Sequence, residues 1–93
     1  MLDRQTIRQT LVELIEADLD KKFDNLDEGQ KLREDLGLDS VDVVSIVSQI
    51  ERRFRIRFSQ QELDPQVLVT VRDVLNLMEV KLAELPASQS SAA

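Results

Sequence analysis

Apolar residues recur at helical spacing in three separate segments of this 93-residue chain, and that periodicity constrains the fold more than any other feature. The segments span residues 3 to about 19, 40 to about 54, and 71 to about 85. Side chains three and four positions apart share one face of a helix, so each segment predicts an amphipathic helix. Asp3 and Asp39 stand where N-caps of the first two helices are expected. The predicted fold class is all-α.

The segments between the helices complete the predicted architecture. Residues 20–38 form a long loop between helices one and two, which isolated leucines are expected to pin to the core: Leu26, Leu32, Leu36 and Leu38. Residues 60–70 predict one brief helical turn that breaks at Pro65, because a residue before proline is disfavoured in a helix. We therefore expect a small four-helix bundle, three helices long and one short, over residues 1–85. The polar residues 86–93 predict a flexible tail.

The composition excludes several classes of function. The chain has no cysteine and no histidine, which removes disulfides, thiolate metal sites and the usual general base of a serine nucleophile. A self-contained hydrolase is therefore not expected. The net charge of -6 argues against nucleic acid as a partner. No stretch approaches the roughly 18 apolar residues of a membrane span, and the charged N-terminus is unlike a signal peptide, so we expect a cytoplasmic protein.

The stretch DLGLDSVDVV, residues 35–44, places Ser40 where the second helical pattern begins. One interpretation is that Asp39 and Ser40 simply start a helix, since both residue types are favoured there. A second interpretation is functional. Gly37 permits a tight turn just upstream, and the N-terminus of a helix favours a phosphate group through its free amides and its dipole. A phosphate ester on Ser40 would suit this position.

Taken with IERRFRIRF and the third amphipathic segment, this stretch resembles the acyl carrier protein family over roughly residues 2–84. The resemblance implies a 4'-phosphopantetheine arm on Ser40, with Asp39 and Val41 completing the signature motif. It also implies a phosphopantetheinyl transferase as partner, which would bring coenzyme A, magnesium and the catalytic base. Asp39 would be the contact that the transferase recognises.

The same resemblance implies a carrier that is not itself an enzyme. Such a carrier holds acyl intermediates as thioesters and passes them between enzymes of fatty acid, polyketide or related lipid biosynthesis. Four side chains of the second helix would line a groove for the acyl chain: Val43, Val44, Val47 and Ile50. The alternative for each of these residues is plain core packing. We expect a monomer, since no apolar stripe is left over for an interface.

Four arginines depart from the acidic surface that is usual in this family. Residues 51–57 hold four arginines and one glutamate, a charge of +3, so the rest of the chain carries -9. The arginines, with Asp42 in the first turn of the helix, are candidates for docking partner enzymes: Arg52, Arg53, Arg55 and Arg57. Such a surface predicts a specialised carrier with a dedicated set of enzymes. The alternative is that they offset the helix dipole or pair with loop carboxylates such as Asp35.

Two other functions stay open from the sequence. A peptidyl or aminoacyl carrier would use the same arm, although its motif usually has glycine and another residue before the serine, where this chain has Leu38 and Asp39. A non-carrying helical adaptor would leave Ser40 unmodified. The intact Asp39-Ser40 pair favours the carrier, because an adaptor has no chemical need for it.

Overall fold

The computed structural model describes residues 3–23 and 26–84, and its regular structure is helical. Helix α1 spans Arg4–Leu19, α2 spans Ser40–Phe54 and α3 spans Val71–Glu84. One isolated antiparallel bridge joins Lys31 to Thr70. The all-α prediction is confirmed, and the expected tail at 86–93 lies outside the described residues. Within those residues, no helix has both the length and the hydropathy that crossing a membrane would require.

The helix boundaries follow from local chemistry at each end. The Asp3 carboxylate accepts a hydrogen bond from the backbone N–H of Thr6 at 2.8 Å, which caps α1 as predicted. The residue that follows each of the first two helices is left-handed: Asp20 after α1 has a φ of 53°, and Arg55 after α2 has a φ of 57°. Glycine is the usual residue at such a position, since a side chain raises its energy. Both helices therefore stop at an energetic cost to the backbone.

The core fills the space between the three helices and the long loop. Helix α1 contacts both α2 and α3. The loop adds four leucines that expose 6% or less of their surface, as predicted: Leu26, Leu32, Leu36 and Leu38. The helices contribute ten further buried side chains that join this core: Ile7, Leu11, Leu14, Ile15, Ile46, Ile50, Val71, Val74, Leu75 and Met78. These leucines make the loop part of the packed domain.

The short fourth helix is not confirmed. Residues 60–63 and 65–67 form two successive turns, separated at Asp64. The backbone oxygen of Asp64 accepts from Val67 and Leu68 at 2.8 and 2.9 Å, and its carboxylate accepts from the Gln66 amide at 2.8 Å. The bond from Leu68 spans four residues as in an α-helix, but Pro65 has no N–H with which to continue the preceding turn, so the two turns do not join into one helix. An ion pair of 2.9 Å between Glu62 and Lys81 of α3 holds this segment in place.

A second set of charges ties the loop to α1 and α3. The Glu28 carboxylate lies 2.8 Å from the Arg4 guanidinium, 3.9 Å from that of Arg8 and 3.8 Å from that of Arg72. Arg4 also contacts Glu79 of α3. The hydrogen bond from Arg4, with the charges of the other two arginines, lowers the pKa of Glu28. This network links both ends of the chain to the loop that precedes Ser40.

Candidate modification site and partner surface

The N-terminus of α2 presents Ser40 as its first helical residue, on the surface of the domain. Asp39 accepts from the backbone N–H of Asp42 at 2.8 Å, and Asp42 accepts from that of Asp39 at 3.1 Å. This reciprocal pair is a capping box, which stabilises the start of the helix. Asp39 and Asp42 thus have a structural role next to Ser40, and the predicted N-cap is confirmed.

The loop supplies a residue that the sequence interpretation missed. Nη2 of Arg33 donates a hydrogen bond of 3.0 Å to Ser40 Oγ. Arg33 is seven positions before Ser40, beyond the reach of helical periodicity. The only sequence signal for it is a basic residue between the buried Leu32 and Leu36, in the turn that leads to Gly37. Gly37 has a φ of +77°, and this conformation brings the chain from the turn to α2.

The groups around the Ser40 hydroxyl fit a phosphate ester. Within residues 3–23 and 26–84, the backbone N–H groups of Ser40 and Val41 have no hydrogen-bond acceptor. Together with the Arg33 guanidinium they form a set of donors beside an exposed hydroxyl. An anionic ester oxygen can accept from such donors, and the positive end of the helix dipole favours it. Val41 exposes 76% of its surface and leaves the approach to Ser40 open.

An apolar cleft extends from Ser40 along the outer side of α2. Its volume is about 260 Å³, and Leu63 and Pro65 of the turn segment form the opposite wall. Val43, Val44 and Val47 line it, as expected of an acyl groove. Ile50 is fully buried in the core and lies outside the cleft. The cleft therefore lies between α2 and the turns at 60–67.

The interior of the domain offers far less space than this cleft. A void between the helices measures about 10 Å³, beside Leu11, Val47 and Val74. A single water needs about 10–15 Å³ of such volume, so the void has no room for an acyl chain. An acyl chain could enter the core only if the helices moved apart. The outer cleft can accept one without that change.

The four arginines lie at the opposite end of α2 from Ser40. Arg52 and Arg53 occupy the last turn, and Arg55 and Arg57 follow the helix, all four exposed. Among the residues that the structure describes, none of the four has a carboxylate within 4 Å. The expected pairing of Asp35 with Arg55 or Arg57 is therefore wrong, and the Asp35 carboxylate accepts from the backbone N–H of Lys31 at 2.7 Å.

The arginines border an open depression at the end of α2. Its volume is about 610 Å³, and Arg52, Arg55 and Arg57 line it. Glu51 also lines the depression, and its carboxylate accepts from the Phe58 amide at 2.9 Å. Side chains alternate here, because Ile56 is 4% exposed while Arg55 and Arg57 on either side of it face solvent. This surface is a concave, positively charged region.

The chain is similar in sequence to one family of known proteins. Residues 5–78 match the family model described as a phosphopantetheine attachment site. The chain is 32% identical over 82 residues to acyl carrier protein 3 of Ralstonia nicotianae, covering 88% of this chain and 92% of that protein. An acyl carrier protein of Saccharopolyspora erythraea is 30% identical over 90 residues, covering 97% and 93% of the two chains.

A solved structure has the same arrangement of helices. The crystal structure of an acyl carrier protein from Thermotoga maritima aligns with a TM-score of 0.79 at 28% identity, over 89% of this chain and 94% of that one. The family prediction made from the sequence is confirmed by these matches. Proteins of this family are carriers rather than catalysts, and their prosthetic group is a covalently attached 4'-phosphopantetheine. This chain belongs to the acyl carrier protein family.

Proposed function

We propose that Ser40 carries the 4'-phosphopantetheine arm and that the protein shuttles acyl thioesters between enzymes of a specialised pathway of fatty acid, polyketide or related lipid synthesis. One observation carries the proposal: an exposed serine hydroxyl begins α2 beside a guanidinium, within the region that matches the family model. The arm supplies a terminal thiol that holds the acyl group. The protein itself supplies the attachment point and the surfaces that partners recognise.

The attachment step needs a base, and the chain contains no histidine, the most common one. Ser40 Oγ forms a bond to the phosphorus of coenzyme A that bears the pantetheine. The bond from that phosphorus to the bridging oxygen of the pyrophosphate breaks, and adenosine 3',5'-bisphosphate leaves. The serine proton passes to a base of the phosphopantetheinyl transferase. Exposure of Ser40 at the helix end supports this step, since the transferase must reach the hydroxyl.

Intact mass tests the attachment site. The purified protein is incubated with coenzyme A, magnesium and a broad-specificity phosphopantetheinyl transferase, and we expect a gain of one phosphopantetheine. Ser40→Ala abolishes the gain, whereas Ser45→Ala, a serine on the same helix, retains it. No gain with any of several transferases would contradict the carrier function and favour the adaptor.

We further propose that the outer cleft shelters a short acyl chain. Val43, Val44 and Val47 give it an apolar wall directly beside Ser40. Its 260 Å³ equals the liquid volume of roughly nine waters, and a methylene is close to water in size. Burial stabilises by about 0.8 kcal/mol per methylene, an upper value for an open cleft. A partner enzyme with an equally apolar tunnel can still remove the chain, because the chain then exchanges one apolar surface for another.

Melting temperatures of acylated forms test the cleft. We expect the melting temperature to rise with acyl length until the cleft is filled, and then to level off. Val44→Asp removes this rise, because a carboxylate in the cleft opposes an apolar chain. Val80→Asp is the matched control, since Val80 is also about half exposed but lies on α3 outside the cleft. Equal rises in the two variants would place the acyl chain elsewhere.

The proposed docking surface comprises Arg52, Arg53, Arg55 and Arg57 and fits a partner face rich in carboxylates. Its support is the absence of carboxylate partners for these arginines within the described part of the chain, together with the depression that Arg52, Arg55 and Arg57 line. Exposed charges that are not paired internally steer association with a surface of opposite sign. Asp42 stays at the other end of α2, so the two ends differ in charge. A partner enzyme could then distinguish the two ends of α2 and bind the carrier in one orientation.

Charge reversal tests the docking surface. Replacing Arg52 and Arg57 by glutamate should lower kcat/KM with a dedicated acyltransferase by about tenfold or more, and the loss should shrink at high salt. Lys21→Glu with Lys22→Glu, near the end of α1, serves as the control for net charge. An unchanged rate with every dedicated partner enzyme would show that these arginines do not take part in docking.

A further inference from the structure

The loop backbone fixes the position from which the Arg33 side chain reaches Ser40. Leu32 and Leu36, on either side of it, are 3% and 6% exposed and anchor the turn in the core. The Gly37 amide donates to the Arg33 oxygen at 3.1 Å, and the Leu38 amide donates to the Leu32 oxygen at 2.9 Å. These bonds fix the Cα of Arg33, so its side chain has a constant origin from which to reach Ser40 Oγ.

The carboxylates near Arg33 are engaged with other groups. Asp39 and Asp42 accept from each other's amides in the capping box. Glu34 pairs with Lys31 at 3.4 Å, and Asp35 accepts from the Lys31 amide. Across the described ranges no carboxylate lies within 4 Å of the Arg33 guanidinium. Its partner in this structure is the neutral Ser40 hydroxyl, at 3.0 Å.

A hydroxyl uses only part of what a guanidinium offers. Arginine has five N–H donors in a rigid fork that matches two oxygens of a phosphate, and its charge persists at any physiological pH. Hydrogen bonds to an ionised acceptor are shorter and roughly twice as strong as neutral ones. A phosphodiester on Ser40 would therefore be a better acceptor for Arg33 than the hydroxyl it replaces.

We propose that Arg33 is a positioning residue of the modification site: it orients Ser40 Oγ before transfer, and it holds the phosphodiester of the arm afterwards. The inference rests on the proposed function, since it requires that Ser40 receives the arm. It assigns to a loop side chain a role that the signature residues around Ser40 do not perform. By holding the phosphate, Arg33 restricts where the arm leaves the surface, on the side of α2 that borders the apolar cleft.

The first test measures the rate of loading. Arg33→Ala should lower kcat/KM for transfer roughly tenfold, the value of one hydrogen bond to a charged group. Arg33→Lys should recover part of the rate, because lysine keeps the charge but not the fork. Lys31→Ala is the matched control, since it removes one positive charge from the same turn without contacting Ser40. Equal rates in all four proteins would overturn the role before transfer.

The second test observes Arg33 itself and does not depend on rate. In a ¹⁵N-labelled sample the Nε–Hε signal of Arg33 should shift when Ser40 is loaded, whereas those of Arg52 and Arg57 should stay in place. The ³¹P signal of the arm should also differ between the wild type and Arg33→Ala. An Arg33 signal that does not move on loading, with no change in ³¹P, would overturn the role after transfer.

The outcomes separate this inference from the proposed function. If the wild type gains no mass with any transferase, the function fails and the inference fails with it. If the wild type, Arg33→Ala and Arg33→Lys gain the arm at one rate and Arg33 is unaffected by loading, only the inference fails. A slow Arg33→Ala, a partly restored Arg33→Lys and a shifted Arg33 signal support both.

Discussion

At the scale of single residues, Asp39 caps α2 by accepting from the Asp42 amide. The family resemblance implies a second role for Asp39, as a contact of the transferase, and the two can be tested separately. The cap needs only a side-chain oxygen, whereas recognition by a basic partner surface needs the negative charge. Asparagine keeps the first property and loses the second.

We therefore predict different results for two variants of Asp39. Asp39→Asn should change the free energy of unfolding by less than about 0.5 kcal/mol, while Asp39→Ala should lower it by about 1 kcal/mol. Urea denaturation measures both. If the carboxylate charge matters to the transferase, both variants should load slowly. Normal loading of Asp39→Asn would restrict Asp39 to its capping role.

Arg55 adopts a backbone conformation that is unfavourable for a residue with a side chain. Its φ of 57° is left-handed, and glycine is the usual residue at such a helix end. Arg55→Gly should raise the free energy of unfolding by about 0.5–1 kcal/mol, since relief of strain exceeds the added freedom of the unfolded chain. The same change at Asp20, which ends α1 with a φ of 53°, should give a similar gain.

The two glycine variants also bear on docking. If the positive charge at Arg55 contributes to partner recognition, only Arg55→Gly should lower the rate of acyl transfer. Thermal denaturation measures the gain in stability, and acyltransferase assays measure the cost. Equal activity of both variants would leave the left-handed Arg55 without a functional explanation.

Single residues also mark where sequence interpretation was sufficient and where it was not. Ser40 and its cap were identified because both depend on neighbours in the chain. Arg33 was missed because its contact with Ser40 crosses the Gly37 turn, and nothing in the spacing predicts it. Val44 was grouped with the apolar face of α2, yet it is 58% exposed, and the buried Ile46 was overlooked.

At the scale of elements, α2 begins and ends where the sequence predicted. Some of its apolar side chains pack in the core, and others line the cleft. Its start at Ser40 and end at Phe54 were predicted, since the cap and the end of the periodic pattern are local signals. The short helix expected within residues 60–70 is not confirmed, because the chain forms two turns there that separate at Asp64, before Pro65. That difference matters for function, since Leu63 and Pro65 form the far wall of the cleft.

The division of α2 predicts unequal costs for two truncations. Ile50→Ala, at a fully buried position, should lower the free energy of unfolding by about 2–5 kcal/mol, because it leaves a cavity in the core. Val44→Ala, on the cleft side, should lower it by less than about 0.5 kcal/mol. Urea midpoints with unchanged m-values measure both. A large loss for Val44→Ala would mean that the cleft wall is part of the core.

At the scale of the whole molecule, the charges around Glu28 couple α1, the loop and α3. The pKa of Glu28 is lowered, first by its hydrogen bond from Arg4 and then by the charges of Arg4, Arg72 and Arg8. A carboxyl whose pKa is lower in the folded state stabilises the fold above its unfolded pKa. That contribution is lost as the pH falls through the folded value. Stability should therefore decline in acid.

We predict that Glu28→Gln removes part of this pH dependence. Near pH 7 the variant should lose about 1 kcal/mol, the value of a surface network, or roughly 4–8 °C in melting temperature. The difference from the wild type should shrink as the pH falls below about 4, the usual range for a glutamate. Melting curves from pH 3 to 7 measure it. Glu84→Gln, in an exposed pair with Lys81, is the control and should lose little.

The charge segregation along α2 has a further consequence for how such a carrier can be changed. Ser40 and the arginines that follow α2 stand roughly 20 Å apart, given a rise of about 1.5 Å per residue over this helix. Exposed charges are largely screened beyond about 8 Å at physiological ionic strength. Direct electrostatic coupling between Ser40 and the basic end of α2 is therefore weak. Exchanging residues 52–57 between carriers should therefore change which acyl-transferring enzymes a carrier meets. The same transferase should still load each of these carriers at Ser40.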